Sequence, residues 1–92
     1  MEKKIRLQIR FFGCVQGVGF RWTAKNLASY YGLTGWVLND WDGSVLMEVQ
    51  GGKTEINAMI ERLDSDRFIE IERMEKNELP LVDWEREFKI KH

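Results

Sequence analysis

This 92-residue chain has only one cysteine, one proline and one histidine. With Cys14 alone no intrachain disulfide can form, so the core must stand without a covalent staple. Cys14 and His92 together fall short of a zinc-type ligand set, and His92 reads as a solvated side chain. No apolar run approaches the roughly 20 residues that a membrane-spanning helix needs. The stretch MEKKIRLQIR alternates charge with apolar residues and has no apolar signal core. A cytoplasmic location without a membrane partner is the expectation.

Charge, by contrast, is plentiful. With 32% charged and 43% hydrophobic residues the chain reads as globular rather than disordered. Its length fits one small domain over 1–92. The net charge of −1 hides an asymmetry: residues 1–38 carry +5 and residues 39–92 carry −6. If the first part clusters in space it offers a positive surface to a small anion. Solvated faces of strands and helices explain the same numbers.

Periodicity organises the rest. Ile5, Leu7, Ile9 and Phe11 alternate with Arg6, Gln8 and Arg10, which predicts a half-buried strand. Phe20, Ala24, Leu27, Ala28 and Tyr31 fall at helical spacing and Gly32 stands where a helix stop belongs. Thr34–Asn39 predicts a second strand, Asn39–Gly43 a turn, and Val45, Met47 and Val49 a third strand broken by Gly51-Gly52. A second helix runs from about Thr54 to Leu63, with Ile56, Met59, Ile60 and Leu63 on one face. Phe68–Glu75 predicts a fourth strand with Ile69 and Ile71 inward. Trp84, Phe88 and Ile90 suggest a closing one. The order βαββαβ plus one strand, with right-handed crossovers, predicts an α+β class: a ferredoxin-like open-faced sandwich, two helices on one face of an antiparallel or mixed sheet.

The nine residues Gly13–Arg21, GCVQGVGFR, connect the first strand to the first helix. Helix starts leave backbone N–H groups unpaired and partly positive. Gly13, Gly17 and Gly19 let the chain curl so that several amides gather on one spot, a nest for phosphate or sulfate. Arg21 adds a forked, permanent charge. The loop is not a Walker motif, since Phe20-Arg21 follows Gly19, nor a dinucleotide fingerprint, since the third glycine is missing. On composition alone, a connection shaped only by chain geometry remains equally open.

The stretch Gly13-x-Val15-Gln16-Gly17-Val18-x-Phe20-Arg21 resembles the signature of the acylphosphatase family. Gly35-Trp36-Val37-x-Asn39-x-x-Asp42-Gly43-x-Val45 resembles that family's second signature, at the right distance. The resemblance covers nearly the whole chain. It departs at Gly51-Gly52 and at Ser65–Ile69, where relatives often carry Gly-Pro. It implies an enzyme that cleaves the carboxyl–phosphate bond of acyl phosphates, with no metal or other cofactor. It further implies that Arg21 binds the substrate phosphate, that Asn39 positions the attacking water, and that the backbone of Gln16, Gly17, Val18 and Gly19 cups the phosphate. Cys14 falls at a variable position beside that loop.

Two rival functions share the architecture. An RNA-binding module stacks bases on aromatics of its middle strands, but Ser44–Gln50 has none and the net charge is negative. Trp22, Trp36, Trp41 and Trp84 lack regular spacing and read as core or loop packing. A similar domain also opens large carbamoyl-transferring maturation proteins, where it handles carbamoyl phosphate. The expected partner is therefore a small acyl phosphate, with no nucleic acid, and the expected state is a monomer. A non-catalytic anion-binding module is the remaining alternative.

Overall fold

A period of two puts Ile5, Leu7, Ile9 and Phe11 on one face of a strand and Arg6, Gln8 and Arg10 on the other. The computed structural model, which describes residues 2–92, extends this strand, β1, over Lys4–Cys14. It continues through α1 (Phe20–Tyr31), β2 (Thr34–Asn39), β3 (Val45–Gly52), α2 (Lys53–Asp64), β4 (Glu70–Leu79) and β5 (Phe88–Ile90). The sheet order is β4-β1-β3-β2-β5. All neighbours are antiparallel except β2 and β5, which run parallel. This is the predicted ferredoxin-like sandwich, with β1 and β3 side by side in the middle and β5 added at one edge.

Both helices pack on the same face, where they touch each other; α1 also contacts β2 and β5, and α2 contacts β3. Phe20, Ala24 and Ala28 of α1 and Ile56, Met59, Ile60 and Leu63 of α2 are buried against Ile9, Phe11, Val37, Met47 and Val49. The rings of Phe11 and Phe20 lie 4.9 Å apart between centroids. That contact pins the end of β1 to the start of α1. As predicted, α1 stops at Gly32, whose left-handed backbone (φ 69°) lets Leu33 N–H bond back to the Ala28 carbonyl at 2.8 Å.

The opposite face of the sheet is polar, and residues 80–87 cross it from the β4 edge to the β5 edge. Arg6, 3% exposed, reaches Glu48 at 3.0 Å and Glu85 at 2.7 Å. The Gln50 side chain exchanges hydrogen bonds with the Val82 backbone at 2.9 and 3.0 Å. Burial alone would raise the Glu85 carboxyl pKa, but hydrogen bonds from Arg6 and Thr34 outweigh it and hold it below the ordinary value.

Several boundaries differ from the sequence expectation. Gly51-Gly52 does not break β3: the two glycines are its last residues, paired with Ile5 and Lys4. β4 begins at Glu70 rather than Phe68, because Asp66 accepts from the amides of Phe68 (2.9 Å) and Ile69 (3.3 Å) and folds that stretch into a turn. Phe68 is exposed and Ile69 is buried ahead of the strand. β4 then runs on to Leu79 because the long β1 keeps offering pairing partners as far as Arg6. Trp84 lies outside the closing strand. Trp22, Trp41 and Trp84 are all exposed, so these three do not pack the core.

One glycine of the second signature has a structural duty. Gly35 is buried at φ 141°, and a Cβ there would collide with the Glu48 carbonyl oxygen of β3. That oxygen belongs to the ladder and cannot move without opening it. We expect Gly35→Ala to lower unfolding stability by about 2–4 kcal/mol, seen as a lower urea midpoint at unchanged slope.

Candidate active site

The glycine loop is clamped at both ends. Val15 and Phe20 are buried, so Gln16–Gly19 must arch between two anchored points. Gly17 and Gly19 turn the arch with left-handed backbones (φ 73° and 80°). A side-chain-bearing residue at Gly19 would meet no atom within 4 Å, yet its backbone would cost about 1–2 kcal/mol. Gly19 is the N-cap of α1: its carbonyl accepts from Thr23 at 3.0 Å, and it brings no side chain to cap the first amides of the helix. Among the described residues, no amide of Gln16–Gly19 donates to another protein group.

Across from the arch lies the β2–β3 turn. Asp40 accepts from Arg10 at 2.8 Å and from the Trp41 amide at 2.8 Å. Asp42 accepts from the Ser44 amide at 2.9 Å and from its hydroxyl at 2.6 Å. The carboxyl of Asp40 is held below its usual pKa by the Arg10 and Trp41 hydrogen bonds, and that of Asp42 by those from Ser44. Folded pKa values lowered this way mean that both contacts are intact at neutral pH and are lost only as pH falls through the depressed values. The Gln16 side chain then ties arch to turn, donating to the carbonyls of Asp40 (2.7 Å) and Ser44 (2.9 Å). Its amide nitrogen is therefore committed to holding the loop against the turn.

Beside these elements is an open hollow of about 220 Å³ lined by Gly19, Phe20, Arg21, Trp22, Asn39, Ile90 and His92. Of the residues singled out in the sequence, Gly19, Arg21 and Asn39 meet there. Val18 packs against the core and Gly17 is exposed, and neither side of them lines the hollow. Cys14 pairs with Glu70 and lies outside it. Asn39 ends β2, and its Oδ1 is buried with no hydrogen-bond partner among the described residues. Such an atom costs about 1–3 kcal/mol.

Sequence reasoning missed His92. β5 runs parallel to β2, and the Lys91 amide bonds the Val37 carbonyl at 2.8 Å, which carries the chain to the site. The His92 Nδ1 lies 3.5 Å from Arg21 Nη1. The signal was there: residues 88, 90 and 92 alternate, so 92 continues the side that buries Phe88.

Folding pairs two of the six basic side chains of residues 1–38 with acids. Arg6 is matched by Glu48 and Glu85, and Arg10 by Asp40. Arg21 remains as the permanent charge of the hollow. A larger hollow of about 520 Å³, between the sheet and residues 82–87, contains none of the predicted site residues. Among the described residues, no group of three or more His, Cys, Asp or Glu side chains is placed to hold a metal ion. No described helix is long and apolar enough to cross a membrane.

Fold and hollow together define a small ferredoxin-like α+β protein with an arginine-bearing hollow beside its β1–α1 loop. The acylphosphatase family model matches residues 7–90, and the chain belongs to that family. An acylphosphatase of Clostridium acetobutylicum is 38% identical over 92% of this chain and 94% of its own length. The crystal structure of the Bacillus subtilis acylphosphatase superposes with a TM-score of 0.87 at 27% identity, covering 96% of this chain and 99% of that one. Full-length HypF, solved in a phosphate- and nucleotide-bound form, matches with a TM-score of 0.87 at 32% identity, over all of this chain but 12% of its own. The chain is an enzyme of the acylphosphatase type.

Proposed function

We propose that this chain hydrolyses acyl phosphates to a carboxylate and inorganic phosphate without a metal ion. In this reading Arg21 and the Gly19 amide hold the phosphoryl group in the hollow, the amides of Gln16, Gly17 and Val18 on the adjoining arch close on it when it binds, and Asn39 orients the water. The observation that carries it is the pairing of Arg21 and Asn39 in one hollow, with the Asn39 oxygen buried and unpartnered among the described residues. The water oxygen bonds phosphorus, the bond from phosphorus to the acyl oxygen breaks, and the carboxylate leaves with that electron pair. A carboxylate is stable without protonation, so no strong general acid is needed. The water's proton passes to a phosphate oxygen. Positioning and charge stabilisation are then sufficient.

The test is turnover of benzoyl, acetyl and carbamoyl phosphate by the purified chain in excess chelator. Hydrolysis unaffected by the chelator is expected; no turnover, or a metal requirement, would reject the reading. The likeness to a 12% segment of HypF supports a second reading, in which the same architecture serves inside a much longer chain. Under that reading carbamoyl phosphate would be turned over in clear preference to the other two.

A further inference from the structure

Trp22 lies outside the core. It is 69% exposed on α1, and Tyr30, two turns on, is 77% exposed. The outward stripe of an amphipathic helix is ordinarily polar. Two large aromatic side chains on that stripe, at positions eight apart and so on one helix face, are a departure. Trp22 also stands between two hollows. It lines the small one with Arg21 and Asn39, and it lines a second of about 410 Å³ with Thr23, Asn26, Leu27, Tyr30 and Arg62.

An acyl phosphate has the same division. One end is a compact anion and the other, past the carbonyl, is an organic group of variable size. Arg21 and Trp22 are consecutive in α1, so their side chains diverge by about a third of a helix turn. Because Trp22 lines both hollows, a phosphoryl group held at Arg21 has the indole as its neighbouring wall on the side of the second hollow. A methyl group ends there. A phenyl ring reaches over the indole face, where offset or edge-on ring pairs are favourable by about 0.5–1.5 kcal/mol. We infer that Trp22 and the α1 groove beyond it form the acyl subsite, and that the chain prefers acyl phosphates with an aromatic acyl group. This inference rests on the phosphoryl group binding at Arg21, as proposed above.

The experiment compares kcat/KM for benzoyl and acetyl phosphate in the parent protein, Trp22→Ala and Trp22→Phe, with Trp84→Ala on the opposite face as control. The benzoyl-to-acetyl ratio should fall about tenfold in Trp22→Ala, recover largely in Trp22→Phe and stay at the parent value in Trp84→Ala. An equal loss on both substrates, leaving the ratio unchanged, would overturn the subsite. Calorimetry with the non-hydrolysable phenacylphosphonate and acetonylphosphonate separates the two readings. If the parent hydrolyses neither substrate but binds the phenacyl compound more tightly in a Trp22-dependent way, the subsite stands and the hydrolytic reading falls. If affinity for the two compounds is equal and indifferent to Trp22, the subsite falls whatever the activity.

Discussion

Asn39→Ala should lose kcat by about 10²–10³-fold while inorganic phosphate still binds as a competitive inhibitor. The two halves of that result follow from where Asn39 sits. It closes β2 on the far side of the hollow from the α1 start, so removing its side chain leaves the Gln16–Gly19 arch and Arg21 in place. What is lost is a carboxamide that both donates and accepts, and hence the direction of the attacking water. The same substitution has an opposite effect on stability. The Asn39 oxygen is buried and unpartnered among the described residues, a cost that the folded chain carries. Asn39→Ala removes that atom, so its thermal midpoint should equal or exceed the parent's. A variant that is nearly inactive and no less stable is what a site residue gives; a turn residue would give the reverse. Asn39→Asp sharpens the test, because a carboxylate in that place repels the phosphate and should weaken inhibition as well as turnover. Parent-like hydrolysis of benzoyl phosphate by Asn39→Ala would remove Asn39 from the mechanism.

Much of this arrangement was legible before any coordinates. The strand β2 was bounded correctly because Thr34 and Asn39 are flanked by turn chemistry on both sides, Gly32 before and 40–43 after. The stop of α1 at Gly32 was legible because only a left-handed residue closes a helix in that way. β4 was misplaced at its start because the Asp66 turn is side chain to backbone, and hydropathy cannot see it. Gly51-Gly52 was misread as a break because glycine depresses strand propensity, whereas the partner β1 supplies pairing that propensity does not count. Tertiary pairing decides such cases.

The site was legible in part, and for a different reason. Gly19, Phe20, Arg21 and Asn39, from the loop, the first helix turn and the end of β2, fall within the two signatures, and Trp22 stands one residue beyond the first. His92 and Ile90 come from the far end of the chain, and only the parallel β2–β5 pairing brings them in. The sequence also could not say which arginines were free. Arg6, Arg10 and Arg21 look alike as letters. Folding commits the first to two glutamates and the second to the β2–β3 turn, and it leaves the third facing the hollow.

That difference sets the second large effect. Arg21→Ala should lower kcat/KM by roughly 10²-fold or more, with KM rising and kcat falling together. The guanidinium holds charge that is present in the ground state and redistributes over the equatorial phosphoryl oxygens in the transition state. The other lining side chains do not replace it: Phe20, Trp22 and Ile90 are apolar, and among the described residues no second permanent charge lines the hollow. Arg21→Lys should recover part of the loss, because an ammonium supplies the charge but not the planar fork that meets two oxygens at once. Stability should barely change in either variant. Arg21 makes no ion pair among the described residues, and its one side-chain polar contact there is His92 at 3.5 Å, so its loss strands no buried acid. Arg6 shows the contrast: its removal would leave Glu48 and Glu85 facing each other without their cation. Equal urea midpoints for the parent and Arg21→Ala, beside a hundredfold gap in kcat/KM, would mark the side chain as part of the chemistry. A parallel fall in both would make it part of the scaffold, and the phosphate would need another anchor.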